Sequence, residues 1–235
     1  MKAIKKNSFK TCIGAFFIAI FYKNLFRLIS LLSALLLKWP LQMPSKNLTS
    51  PLLNITNHDR EALLKQKGKI IWFTGLSGAG KSTLANALEV ALHQQGKYTF
   101  LLDGDIVRQG LNQDLGFSNE DRIENIRRIA HIAKLMLDAG LIVICAFISP
   151  FQRERDLARG LAGDDRFIEI YLNTSLETCA QRDTKGLYQK ASAGTLNNLS
   201  GIGSDYQAPT HPEITLNTAE YSIPQSIEKI LTYIQ

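Results

Sequence analysis

Nine residues, "GLSGAGKST" at 75–83, carry the densest chemistry in the chain. Gly75, Gly80, Lys81 and Ser82 meet the pattern G-x-x-x-x-G-K-[ST] in full. Glycines at 75, 78 and 80 let the backbone turn tightly and aim successive N–H groups at one anion. The run Gly75, Leu76, Ser77, Gly78, Ala79, Gly80, Lys81, Ser82 and Thr83 is therefore expected to cradle the phosphates of a nucleoside triphosphate. In that reading Lys81 reaches the β- and γ-phosphates and the Ser82 hydroxyl ligates Mg²⁺. The pattern leaves the acceptor of any transferred phosphoryl group open.

A second constellation follows in "LLDGDIVRQGLNQDLGFSNEDRIENIRR" (101–128). Asp103 and Asp105 close an apolar run. Two carboxylates there suit Mg²⁺ ligation, directly or through water, and orientation of an attacking hydroxyl. An Asp-Gly turn capping the next segment accounts for the pair equally well. Arg122 and Asn125 lie three apart and so share a helix face, with Arg108 on the loop before them. Arginine pairs bidentately with phosphate or sulfate oxygens, which suits an anionic acceptor. Phe117 follows a glycine and can stack on a base. Arg127 and Arg128 read as a solvated face.

These residues need a scaffold, and the patterning supplies one. "IIWFT" (70–74), "YTFLL" (98–102), "LIVICAF" (141–147), "FIEIYL" (167–172) and "EITLN" (213–217) read as strands. Helical spacing fills 84–95, the stretch from Ser118 to Gly140, "SLETCAQRD" (175–183), and a closing helix from Pro224. A lead-in helix is expected around 59–66. Strand, glycine turn and helix is the context that a phosphate loop requires. Strands alternating with helices predict an α/β fold, a three-layer sandwich with a mostly parallel sheet and helices on both faces. Reacting groups gather at the carboxyl ends of such strands. Ser149, after the third strand, stands at such an end. Of Arg153 and Arg155, just beyond it, one is expected to face phosphate and the other to pair with Glu154 or Asp156 at the surface. "TKGLYQKASAGTLNNLSGIGSDYQAP" (184–209) lacks periodicity and reads as a mobile lid.

Residues 1–58 hold eight Lys or Arg and no acid, leaving 19 basic and 21 acidic residues elsewhere. The basicity thus belongs to an N-terminal extension and gives no reason to expect nucleic-acid binding by the main domain. Apolar runs at 11–22 and 28–37 are each shorter than the roughly 20 residues of a membrane-spanning helix. Residues 1–42 read as a membrane-surface anchor, as a signal peptide without a clear cleavage site, or as no part of the mature protein, Met43 being an alternative start. Residues 43–68 read as linker and lead-in, and 69–235 as the catalytic domain. Cys12, Cys145 and Cys179 form no CxxC pair, and the four histidines are dispersed, so no disulfide framework or metal cluster is readable.

Four motifs, "FTGLSGAGKST", the 101–128 stretch, "FISPFQRERDLAR" and "RDTKGLYQKA", resemble adenylyl-sulfate kinases in sequence and order, from about Ile70 to the C-terminus. The resemblance implies a P-loop NTPase-type fold and transfer of the ATP γ-phosphoryl group, with Mg²⁺, to the 3′-hydroxyl of adenylyl sulfate. It implies Asp105 as the group that orients or deprotonates that hydroxyl, with Lys81 and Ser149 also catalytic. Ser149 is expected as an acceptor-binding hydroxyl. Arg108, Phe117, Arg122, Asn125, Ile148 and Lys185, with Asp103, would border the acceptor, and Arg182 the nucleotide. Ser82 and Asp105 would hold the metal. A lid at about 183–208, a homodimer and a cytoplasmic location also follow, any membrane contact being confined to residues 1–42.

Where the family usually carries "FTGID", this chain has "LSGIG" (199–203). Leu199 then replaces a phenylalanine facing Phe117 across the adenine, and Leu199→Phe is expected to tighten acceptor binding. Gly203 replaces an aspartate. Two rival readings are a metabolite or nucleoside kinase on the same scaffold and a membrane-tethered nucleotide switch. The switch-type D-x-x-G is missing after a strand.

Overall fold

The structure, a computed structural model, describes residues 53–196 and 199–234. The extension at 1–42, with its anchor, leader and alternative-start readings, and the first part of the 43–68 linker lie outside these residues. Helix α1 (Asn57–Leu64) opens the described chain on a capping box, in which Thr56 and Asp59 satisfy each other's backbone N–H groups. Then come β1 (Lys69–Gly75), α2 (Lys81–Gln94), β2 (Thr99–Asp103), the short α3 (Gly104–Arg108), α4 (Asn119–Asp138), β3 (Ile142–Ala146) and α5 (Gln152–Ala162). A 3-10 turn (Asp164–Arg166) leads into β4 (Phe167–Leu172), α6 (Leu176–Arg182), α7 (Leu187–Ser192), β5 (Ile214–Leu216) and α8 (Ile223–Ile234).

The five strands form one sheet in the order β2-β3-β1-β4-β5, with every pair parallel. Side chains alternate across a strand, which explains the unbroken apolar runs. On β1, Ile71 and Phe73 enter one core with α2 and α8, while Ile70 and Trp72 enter the other with α4 and α5. On β3, Ile142, Ile144 and Ala146 face the first core, and Val143 and Cys145 the second. Burying each large side chain contributes about 1.5–3 kcal/mol. Three layers result, as the periodicity predicts.

Two features depart from expectation. The buried face of α4 runs through Arg122, Asn125, Ile126, Ile129, Ala130, Ala133 and Leu137. Ile123, which helical spacing from Ile126, Ala130, Ala133 and Leu137 predicts on that face, is exposed. The helix is rotated so that its first turn buries polar groups. The 183–208 segment is also less irregular than its composition implies. It contains α7, where the Asp183 carboxylate accepts the backbone N–H groups of Tyr188 and Gln189. Among the described residues no helix is long and apolar enough to cross a membrane.

Candidate active site

Gly75, Gly78 and Gly80 hold φ values of +146°, +78° and +95°. A Cβ on Gly75 would lie 2.8 Å from the Leu172 carbonyl oxygen, and one on Gly78 2.8 Å from that of Cys179. Glycine is required there by space as well as by conformation. Lys81 opens α2 and folds back over the loop, where its Nζ donates to the Gly75 and Leu76 carbonyls at 2.9 and 2.7 Å. Burial pulls its pKa down to about 8, against smaller upward pulls that include Asp103 and Asp105.

The Ser82 hydroxyl donates to Asp103 Oδ2 at 2.6 Å, and Asp103 Oδ1 accepts the Asp105 backbone N–H at 2.9 Å, capping α3. The carboxylate beside Ser82 is thus Asp103. Asp105, expected to share the metal with Ser82, instead pairs with Lys185 of the 183–208 segment. The two carboxylates of the DGD turn diverge because one is spent as the helix cap. An oxygen pair from Ser82 and Asp103, next to a phosphate cradle, fits Mg²⁺, which takes a few protein oxygens and fills its shell with phosphate and water. Among the described residues no group of three or more His, Cys, Asp or Glu is arranged for a metal.

A cavity of about 700 Å³ runs from the loop to α4. One end is lined by Ser77, Gly78, Gly80, Lys81, Ser82, Thr83 and Arg182. The other end holds Arg108, Phe117, Arg122, Asn125, Ile148 and Ser149, with Asp103, Asp105 and Lys185 also in the wall. Asp105 shares the cavity wall with Lys81 and Arg108, and its charge pulls upward on both against the larger downward effect of burial. The Arg108 guanidinium sits 4.5 Å over the Phe117 ring and donates to the Leu115 and Gly116 carbonyls. Arg122 Nε donates to the Phe117 carbonyl at 3.2 Å. Burial lowers the pKa of both arginines from its ordinary value. Gly75, Leu76 and Ala79 do not line the cavity, and Leu76 and Ala79 pack against the core beneath α2.

Two expectations, for Leu199 and Arg155, fail on geometry, and Ser149 is held more tightly than expected. Ser149 is buried, at φ +41°. Its Oγ accepts the Trp72 indole N–H at 3.0 Å and donates to the Phe147 carbonyl at 3.4 Å. The hydroxyl thus holds the strand end in place through Trp72, while the residue itself stays in the cavity wall. Leu199 does not face Phe117. It is 4% exposed in the core that includes Leu84, Cys179 and Tyr188, because an aliphatic side chain gains more from that core than from a wet cavity. Arg155 makes no surface pair. It is 1% exposed, with Nε 2.8 Å from Glu169, and it donates to the Ser149 carbonyl, Gln152 and the Gln207 carbonyl.

Thr218 was not singled out from sequence. It follows β5, accepts from Arg182 Nη1 at 2.7 Å and donates to the Ala79 carbonyl at 2.9 Å. Its position after a strand end was the available signal.

A central parallel strand running into this loop, with a hydroxyl–carboxylate pair at its mouth and one cavity shared with an arginine-rich wall, defines a P-loop phosphotransferase. Comparison narrows the class. The family model for "Adenylylsulphate kinase" matches residues 67–217. An adenylyl-sulfate kinase of Marinobacter nauticus is 52% identical over 181 residues, 77% of this chain and 91% of the relative. The Mycobacterium tuberculosis APS kinase, solved with AMPPNP and APS, superposes with a TM-score of 0.69 at 43% identity, covering 72% of this chain and 98% of that one. A hexameric APS kinase from Thiobacillus denitrificans gives 0.55 at 32% identity, over 73% of this chain and 29% of that one. The chain belongs to the adenylyl-sulfate kinase family.

Proposed function

We propose that this chain binds ATP along residues 75–83 and Arg182, and adenylyl sulfate against Arg108, Phe117, Arg122 and Asn125. It moves the γ-phosphoryl group to the 3′-hydroxyl, giving 3′-phosphoadenylyl sulfate and ADP. The observation that carries this reading is the continuous cavity, whose wall holds the loop's Lys81, Asp105 and the arginines Arg108 and Arg122 together.

The new bond joins the 3′-oxygen to the γ-phosphorus, and the bond from that phosphorus to the β–γ bridging oxygen breaks. Asp105 accepts a hydrogen bond from the 3′-hydroxyl, aligns it and takes its proton. Lys81 places positive charge where the β,γ-bridge gains negative charge. Ser82 and Asp103 would hold Mg²⁺, which would supply charge neutralisation at the phosphates. Arg108 and Arg122 bind the phosphosulfate, and Phe117 presents an aromatic face to the adenine. Positioning and charge stabilisation suffice without a covalent enzyme intermediate.

Lys185 must leave Asp105 before that carboxylate meets the acceptor. We therefore assign residues 183–208 as a lid whose lysine exchanges Asp105 for phosphate on closure. A homodimer belongs to the same reading, and sedimentation of the full chain tests it. Use of ATP supports a cytoplasmic location.

The direct test incubates the full chain with γ-labelled ATP and adenylyl sulfate. Labelled 3′-phosphoadenylyl sulfate is expected. Label released only as phosphate, or carried to another acceptor in preference, would refute the assignment.

A further inference from the structure

Three successive carbonyls of the phosphate loop are gripped from outside. The Tyr188 hydroxyl donates to the Ser77 carbonyl at 2.8 Å, Arg182 Nη1 to that of Gly78 at 3.3 Å, and Thr218 Oγ1 to that of Ala79 at 2.9 Å. A trans peptide points its C=O and N–H in opposite directions, and no cis bond occurs among the described residues. Holding the Ser77 carbonyl toward Tyr188 therefore turns the Gly78 N–H to the other side of the loop. That choice needs a cause. Gly78 sits at φ +78°, and glycine gives its neighbouring peptide other orientations at little steric cost. The peptide also lies between β1 and α2, where neither a sheet ladder nor a helix fixes it.

We propose that Tyr188 is a positioning residue for phosphate binding, its hydroxyl fixing the Ser77–Gly78 peptide so that the Gly78 N–H faces the nucleotide. Tyr188 is 4% exposed, and its ring packs in the core that contains Leu172 and Cys179. The ring cannot swing away without uncovering that core. Burial also pushes the phenol up to about 12, which keeps it a neutral donor at working pH. It stands 111 residues from the loop in sequence and belongs to α7, within the 183–208 segment. A shift of α7 would withdraw the donor, so the conformation of this segment and the readiness of the phosphate cradle are coupled through one hydroxyl. This inference rests on the reading of the loop as an ATP site.

The test is Tyr188→Phe in the full chain, which deletes the hydroxyl and keeps the ring. Calorimetric titrations with Mg-ATP and, separately, with adenylyl sulfate give the two dissociation constants. The expected result is ATP binding weakened about 3- to 10-fold, the loss of one hydrogen bond, with adenylyl sulfate binding unchanged within about twofold. Equal ATP affinity in the two proteins would overturn the inference. So would a loss of the same factor for both ligands, which would mark the hydroxyl as merely structural. An unchanged protein that binds adenylyl sulfate but no ATP would overturn the kinase reading and this inference with it.

Discussion

Lys81 shows how much chemistry a single position holds. Its ammonium is desolvated in the loop, and its pKa sits near 8 in the ligand-free protein. Bound phosphate favours the charged form, so above pH 8 ATP binding must take up a proton. Affinity is expected to fall between pH 8 and 10, approaching about tenfold per pH unit, and calorimetry in buffers of different ionisation enthalpy reads the proton directly. The ligand-free fold has the opposite dependence. Charging a buried lysine is unfavourable below pH 8, and that penalty fades as pH rises toward the ordinary value of 10.5. Ser149 makes a second case. Ser149→Ala removes the partner of a buried indole, so a stability loss of about 1–3 kcal/mol is expected by urea titration, with turnover retained within a few-fold. Labelled protein after ATP alone would contradict this assignment. At Leu199 the structure reverses the expectation from sequence: Leu199→Phe overpacks a core and lowers stability by about 1–3 kcal/mol, with no gain in acceptor affinity. Lys81 and Ser82 were legible because their motif encodes its own geometry. Ser149 and Leu199 were not, because resemblance supplies a role at a position but not the direction of a side chain.

At the scale of elements, the informative piece is α5. Arg155 reaches from it to β4, to the end of β3 and to the stem of the 183–208 segment, and Glu169 answers it from the sheet. Gln207 returns its backbone N–H to the Pro150 carbonyl, and Tyr206 meets Thr74 at 3.0 Å. Arg155→Met leaves Glu169 buried beside only the longer contact to Arg159 at 3.5 Å. A loss of about 3–5 kcal/mol is expected, measured as a lower urea midpoint at unchanged slope. The existence and type of the strands and longer helices were readable from periodicity. The burial of Arg155 was not, because a charged residue in the first turn of a helix looks solvated until the sheet supplies its partner. The same blindness hid the rotation of α4, where Arg122 and Asn125 displace Ile123 from the inward face.

Across the described residues, the groups of the site gather at the carboxyl end of the sheet. Gly75, Asp103, Ser149, Thr174 and Thr218 all stand at or just past the carboxyl ends of the five strands. The parallel order was legible in the alternation of strands and helices; the neighbours of each strand were not, because local pattern carries no information about which distant run lies alongside. The order that results puts β1 in the centre, between β3 and β4, which follow it by about seventy and a hundred residues. Its four residues Ile70, Ile71, Trp72 and Phe73 have no exposure once the sheet is complete. During synthesis the strand has no such shelter. A nascent chain halted before Phe167 lacks β4, and one long edge of β1 stays bare and greasy, a template for any other unfinished chain. The stretch that ends in the phosphate loop is thus left open on that side until β4 has been made.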